Sequence, residues 1–273
     1  MSPDPSPAVR ISRVDVHDDA ALAAWHDLVE RSERHDHGDL KTVWTLPELT
    51  AELRSGRRQV SSAAYVGTVG GRPVVWGMTM LPQLDNLATA DVGVAVPPEG
   101  RRRGYGSAMA RHLEAEAVAA GRSVLTAEAM WPVTAPRDGV GQAGVEFAQR
   151  HGFTVGNVEV ERVLRCPVPT ERLDELAASA APWHEGYVLR SWTGPVPDDL
   201  LESWAVLTSS LTSEAPTGDL HVEPEAADVE AVRENEQLLV AQGRTAYRCV
   251  AIATDGAAGG YPELGTTVHE PGR

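Results

Sequence analysis

Val94-Ala-Val-Pro-Pro-Glu-Gly-Arg101-Arg-Arg-Gly104-Tyr-Gly106-Ser-Ala-Met-Ala110 is the stretch on which the reading of this chain turns. An apolar run ends at Val96, two prolines stop it, a basic glycine-containing turn follows, and a helix pattern begins (Met109, Leu113, Ala117 at i, i+4, i+8). Gly104 and Gly106 carry no side chain, so a ligand can come close to the backbone. The first N–H groups of the new helix have no internal partner and sit at the positive end of its dipole. With Arg101, Arg102 and Arg103 around them, they make a ready site for a pyrophosphate.

A lone Gly-x-Gly also fits an ordinary basic surface turn, so the competing motifs matter. A P-loop needs Gly-Lys-Ser/Thr, and no Gly-Lys pair occurs in the chain. A dinucleotide fingerprint starting at Gly104 needs glycine where Met109 stands. Gly139-Val-Gly141-Gln-Ala-Gly144 does match that fingerprint formally. It lies behind Pro132 and Pro136, well past the end of its strand, whereas dinucleotide sites place the turn directly after the strand. It is set aside.

Working outward, the pattern predicts a short strand over 9–14 and a helix opened by Asp18-Asp19 with Leu22, Trp25, Leu28 and Val29 on one face. A polar loop over Arg34-His-Asp-His-Gly-Asp39 comes next, then a second helix from Thr45. Strands are predicted over 61–69, 73–81 and 87–96, the first two joined at Gly70-Gly71. The helix from Gly104 precedes a strand over 124–130, a short helix over 143–150 and a closing strand over 155–164.

Arg101-x-x-Gly104-x-Gly106, after Val94-Ala-Val96-Pro, resembles the acetyl-CoA motif of the GNAT superfamily of N-acetyltransferases, Arg/Gln-x-x-Gly-x-Gly/Ala after the fourth strand. Val145-Glu-Phe147-Ala-Gln-Arg-His-Gly152-Phe153 is similar to a second element of that family, and the order of elements agrees over about residues 8–165. The resemblance implies an α/β (α+β) GNAT fold, a mixed, mostly antiparallel sheet flanked by helices. It implies that Arg102, Arg103, Gly104, Tyr105, Gly106 and Ser107 offer backbone N–H groups to the CoA pyrophosphate, with Arg101 to Arg103 as counter-charges. Val94, Ala95 and Val96 would lie along the pantetheine arm, where the sheet splays between its fourth and fifth strands, and a backbone N–H near Val94 would polarise the acetyl carbonyl. Asp91 and Glu128 are the candidates for the base that deprotonates the amine. Many members use a tyrosine as the acid that reprotonates CoA; here that position is Ala148, which puts the tyrosine route in doubt. The family meets its acceptor at the first helix–helix loop, so His35, Asp36, His37 and Asp39 are expected to face a basic amine. No metal is expected, because two histidines two apart are no ligand set by themselves.

The pattern restarts after Cys166-Pro-Val-Pro-Thr170. Asp198-Asp199, Trp204 and Leu207 repeat Asp18-Asp19, Trp25 and Leu28 about 180 residues later, between strands expected over 187–192 and 247–254, with a helix over 227–242. That offset puts a second phosphate turn beyond Arg273, so the second copy is expected to hold only its first strands and helices. The domains read as 1–165, an acetyltransferase; 166–186, a linker with a helix; and 187–273, a partial GNAT-like copy. An open sheet edge near Thr266–Val268 makes a homodimer a possible arrangement.

Composition narrows the partners. The chain has 273 residues and a formal charge of −15. Residues 1–165 carry 18 basic and 21 acidic side chains, residues 166–273 carry 6 and 18, so most of the excess acidity lies in the second part. Nucleic acid and anionic membrane are not expected as partners, since phosphate affinity needs clustered cations. Cys166 and Cys249 make no disulfide framework, and Met1-Ser-Pro-Asp-Pro-Ser-Pro-Ala8 has neither the charge nor the apolar core of a signal peptide, which fits a cytoplasmic protein. The expected activity is transfer of acetyl from acetyl-CoA to a small-molecule primary amine; the alternative is a catalytically idle CoA-binding or protein-interaction module.

Overall fold

A computed structural model describes residues 9–38, 43–164 and 166–269. The chain divides into two compact units, Met1–Val158 with Pro216–Glu223, and Glu159–Ala215 with Pro224–Arg273.

The first unit runs β1 (Arg10–Arg13), α1 (Asp19–His37), α2 (Leu46–Arg54), β2 (Val60–Val69), β3 (Arg72–Pro82), β4 (Thr89–Ala95), α3 (Tyr105–Ala119), β5 (Val124–Thr126) and α4 (Ala143–Arg150). Its strands form one sheet in the order β1-β2-β3-β4-β5. All pairs are antiparallel except β4–β5, which is parallel.

Local chemistry sets the ends. The Asp18 carboxylate accepts from the N–H groups of Ala20 and Ala21 at 3.0 Å and starts α1. The helix continues through the stretch expected to be a loop, so His35, Asp36 and His37 form its last turn. Arg34, His35 and His37 suit the negative end of the helix dipole, and Arg31–Asp27 and Arg34–Glu30 pair one turn apart at 2.8 and 2.9 Å. Thr45 caps α2 by donating its N–H (2.8 Å) and its hydroxyl (2.9 Å) to Glu48. Gly70 and Gly71 take φ of 56° and 79°, the two positive angles that a tight hairpin turn requires between Val69 and Arg72.

Strand alternation sends the two faces of the sheet into two cores. One holds Val14, Leu22, Trp25, Val29, Leu53 and Ala64 under α1 and α2. The other holds Ala63, Tyr65, Val75, Tyr105, Met109 and Leu113 under α3. Tyr65 donates its hydroxyl to Glu116 at 3.2 Å. Burial first, and the Glu116 charge second, raise its phenol above the ordinary tyrosine value of about 10. The neutral phenol is therefore favoured on folding: its contribution is complete below about pH 10 and is lost as pH rises through the raised value. Tyr65→Phe should flatten the alkaline limb of the stability curve, measured by denaturant unfolding between pH 9 and 11.5.

Two expected strands are corrected. The fifth stops at Thr126 instead of Met130, and residues 155–164 form no strand. With β5 only three residues long, there is little ladder for a sixth strand to extend. The Gly156 carbonyl instead accepts from Asp219 N–H at 2.8 Å, and Asn157 Nδ2 donates to Pro216 O at 3.2 Å. Segment 216–223 is also tied by Asn86, whose Oδ1 accepts from Glu223 N–H at 2.7 Å and whose own N–H donates to the Glu223 carboxylate at 3.0 Å.

The second unit contains α5 (Thr170–Ala180), β6 (Tyr187–Thr193), α6 (Leu201–Glu214), α7 (Val229–Ala241), β7 (Arg244–Ala253), β8 (Ala258–Gly260) and β9 (Glu263–Thr267). β7 pairs with β6 on one side and with β8 and β9 on the other, all antiparallel. From β6 onward this is the β-α-α-β-β order with which the first unit opens. The buried tryptophan of the first helix recurs, though its ring partner sits on the third strand of the first unit (Trp76) and on the first strand of the second (Trp192). Trp25 meets Trp76 edge to face at 6.0 Å between ring centres, and Trp204 meets Trp192 at 5.3 Å. Arg54 closes on Val16 O and Asp19, both at 2.6 Å; Arg233 closes on Val196 O at 2.8 Å and Asp198 at 2.5 Å.

Candidate active site

The site is built where β4 leaves the sheet. The β4–β5 ladder pairs Thr89 with Val124, Ala90 with Leu125 and Asp91 with Thr126, and ends there. The Ala88 carbonyl accepts from the Val124 N–H at 2.9 Å, so even-numbered residues of β4 turn their N–H and C=O toward β5. The Val92 N–H closes the ladder on Thr126; beyond it the Val92 C=O and the N–H and C=O of Val94 have no β5 residue opposite them, a strand edge that an extended chain could join. The side chains of Val92, Val94 and Val96 are used on the other axis, packed against the α3 core.

From Val96 the chain turns through a 3-10 segment, Pro98–Gly100, and enters α3. Two residues of this turn have left-handed backbone: Arg102 at φ 63° and Gly104 at φ 83°. A positive φ is uncommon for a residue with a side chain, and such geometry clusters at ligand clamps. A left-handed turn running straight into a helix N-terminus is the kind of backbone that holds anions. A Cβ added at Gly104 would meet nothing within 4 Å, so this glycine is fixed by its dihedral and by open space above it. Gly106 is small for another reason: a Cβ there would lie 3.3 Å from the Phe147 ring of α4.

The predicted residues divide by what their side chains do. Arg102, Arg103 and Gly104 are exposed at the turn. Tyr105 is buried in the α3 core, so only its backbone N–H reaches the turn. Arg101 is committed elsewhere. Its Nε donates to Val96 O at 2.9 Å and its two terminal nitrogens donate to Asp36 at 2.8 Å each. Asp36, expected at the acceptor, is thus engaged with Arg101 at the turn before α3; Asp39 lies outside the described residues. Thr126 Oγ1 donates to the half-buried Asp91 carboxylate at the point where the strands part, whereas Glu128 is exposed.

Sequence reasoning gave His151 no role. Its Nε2 lies 3.0 Å from Ser107 Oγ, and its ring is 4.7 Å from that of Phe147. Through Phe147 on Gly106 and His151 on Ser107, α4 is docked against the turn. No spacing could reveal a contact across 44 residues.

A family model described as the acetyltransferase (GNAT) family matches residues 22–153. That span runs from within α1 to just past α4 and includes the turn and the β4 edge. The N-terminal half is a GNAT acetyltransferase domain. Among solved structures, a tandem GNAT protein from the clavulanic acid biosynthesis pathway is similar, with a TM-score of 0.66 at 24% identity over 97% of this chain and 76% of that one. The two-unit arrangement is therefore a tandem GNAT fold. An aminoglycoside acetyltransferase from an uncultured soil metagenomic sample, in complex with sisomicin, matches 58% of this chain and 97% of its own at 14% identity, TM-score 0.44. A ribosomal-protein-alanine N-acetyltransferase from Brucella melitensis biovar Abortus matches 59% and 100% at 19% identity, TM-score 0.38. No curated protein matches. The family match places the first unit among the acyltransferases, and among the described residues no helix is long and apolar enough to cross a membrane.

Proposed function

We propose that the GNAT domain, residues 1–165, transfers the acetyl group of acetyl-CoA directly to a small-molecule primary amine. The observation that carries this reading is the left-handed turn at Arg102 and Gly104 opening onto the α3 N-terminus beside an unpaired β4 edge. The fit to acetyl-CoA is physical: open space over Gly104, exposed Arg102 and Arg103 as counter-charges, and a β4 edge at Val94, past the last β5 pair, for the amide-bearing pantetheine arm.

In this scheme the backbone N–H groups from Arg102 to Ser107 hold the pyrophosphate, and Val94 to Val96 align the arm so that the thioester lies in the gap. The Val94 N–H donates to the carbonyl oxygen as it gains charge, a contribution of roughly 3–4 kcal/mol for such a donor. The amine attacks as the neutral base. Asp91 is better placed than Glu128 to take its proton, because its carboxylate is held at the end of the ladder by Thr126. Ala148 offers no proton to the departing thiolate, and buried Tyr105 cannot substitute, so water returns that proton.

Ala148 also supports a second reading, a domain that binds CoA and does not turn over. The test is thiol release from acetyl-CoA with a panel of aminoglycosides, polyamines, amino acids and amino sugars. Turnover with one class of amine is expected, and Asp91→Asn should lower kcat on that amine about 10²- to 10⁴-fold, the range for a positioned base. Acetyl-CoA binding without release across the panel would favour the idle reading.

A further inference from the structure

Arg101 sits at the first position of the acetyl-CoA motif, yet its guanidinium is held by three bonds within the protein. Nε binds Val96 O where β4 ends, and the terminal nitrogens grip Asp36 side by side, the bidentate form that adds geometric definition to charge. The pair is about one-third exposed on each side, and its charges cancel locally. A second ion pair runs in parallel: Arg31, further back on α1, reaches Glu99 in the same turn at 2.5 Å. The C-terminal half of α1 is thereby bolted to the segment between the strand edge and the pyrophosphate cradle. Val96 is shared by both, since it also lies 3.5 Å from where a Cβ on Gly106 would be.

Building on the acetyl-CoA reading, we propose that Asp36 and Arg101 act as one positioning device that sets the conformation of the pyrophosphate turn. Arg101 is then not a phosphate ligand, and Asp36 is not an acceptor residue. The turn carries left-handed backbone at Arg102, one residue after the bolt. A side chain there relaxes toward ordinary dihedrals unless its neighbours hold it. Arg101 fixes the residue before it to both β4 and α1.

The experiment is a double-mutant cycle on the full chain, using Asp36→Ala, Arg101→Met and both, with acetyl-CoA affinity measured by calorimetry and the ligand-free melting temperature recorded beside it. Each single variant should weaken acetyl-CoA by a similar factor, roughly five- to tenfold, and the double variant should be no weaker than either. The ligand-free melting temperature should hardly move, as for other exposed ion pairs. S-acetylpantetheine, which lacks the phosphates, should bind all four proteins alike. Unchanged or tighter binding by Asp36→Ala, with Arg101→Met weakened, would mean that Arg101 is a direct phosphate ligand and overturns the proposal. So would additive losses, or no loss in either variant. If the unmodified protein fails to bind acetyl-CoA, the acetyltransferase reading itself falls, an outcome distinct from each of these.

Discussion

Gly104→Trp is expected to leave the protein folded and to abolish its response to acetyl-CoA. The backbone at Gly104 has φ 83° and ψ 0°, so any side chain there is strained, by roughly 1–2 kcal/mol for the left-handed region. No atom lies within 4 Å of a Cβ at this position, so the indole would project into open space and clash with nothing in the protein. That same space is the approach to the N–H groups of the turn. For the unmodified chain, ligand at a hundred times its Kd stabilises by about 2.7 kcal/mol, a rise in Tm of roughly 5–10 °C for the domain. In the variant the rise should vanish while the ligand-free Tm falls by only a few degrees. Thermal unfolding with and without millimolar acetyl-CoA measures both. A variant that keeps its ligand-induced rise would show that the cosubstrate does not use this turn.

Trp25→Ala should cause the largest loss of stability. The indole is 2% exposed, meets Trp76 edge to face, and donates its N–H to Tyr65 O at 3.1 Å. Truncation empties a site in the α1–sheet core, a change that costs about 3–5 kcal/mol, and leaves the Tyr65 carbonyl without this donor. Against a domain stability of about 5–15 kcal/mol the first unit would be close to unfolding at ambient temperature. Trp204→Ala is the matching change under the second sheet, where the ring is 4% exposed. If the two units unfold as separate cooperative blocks, each variant should lower one calorimetric transition and spare the other. A single transition shifted equally by both would show that the units unfold together.

How much of this was legible in the chain follows from the range of each interaction. Asp18 as a cap, Gly70-Gly71 as a hairpin, the α3 stripe and the strand–turn–helix around Gly104 are all decided within a few residues, and each forms where the pattern placed it. The repeat was visible in its buried ring, Trp25 and Trp204, but its acidic pair serves differently: Asp18 caps α1, whereas Asp198 and Asp199 make no cap bond to α6 and pair with Arg233 and Arg190. The strand expected over 155–164 does not form, because alternation of apolar residues records only a willingness to pair and carries no information about a neighbour. The last turn of α1 was misread for a related reason: His35-Asp-His37 is as polar as a loop, and its helicity depends on pairs with residues one turn back.

The sequence by itself determined the class of the first unit, the position of the strand–turn–helix around Gly104 and the existence of a second copy, since these rest on dihedral preference, periodicity and local motif. Only the tertiary structure decided the use of the side chains around that turn. Arg101 and Asp36 are 65 residues apart, His151 and Ser107 are 44 apart, and Asp91 meets Thr126 across 35. Whether a charge faces a ligand or is already neutralised is settled by what the folded sheet and helices bring within about 3 Å of it, and no spacing along the chain encodes that distance.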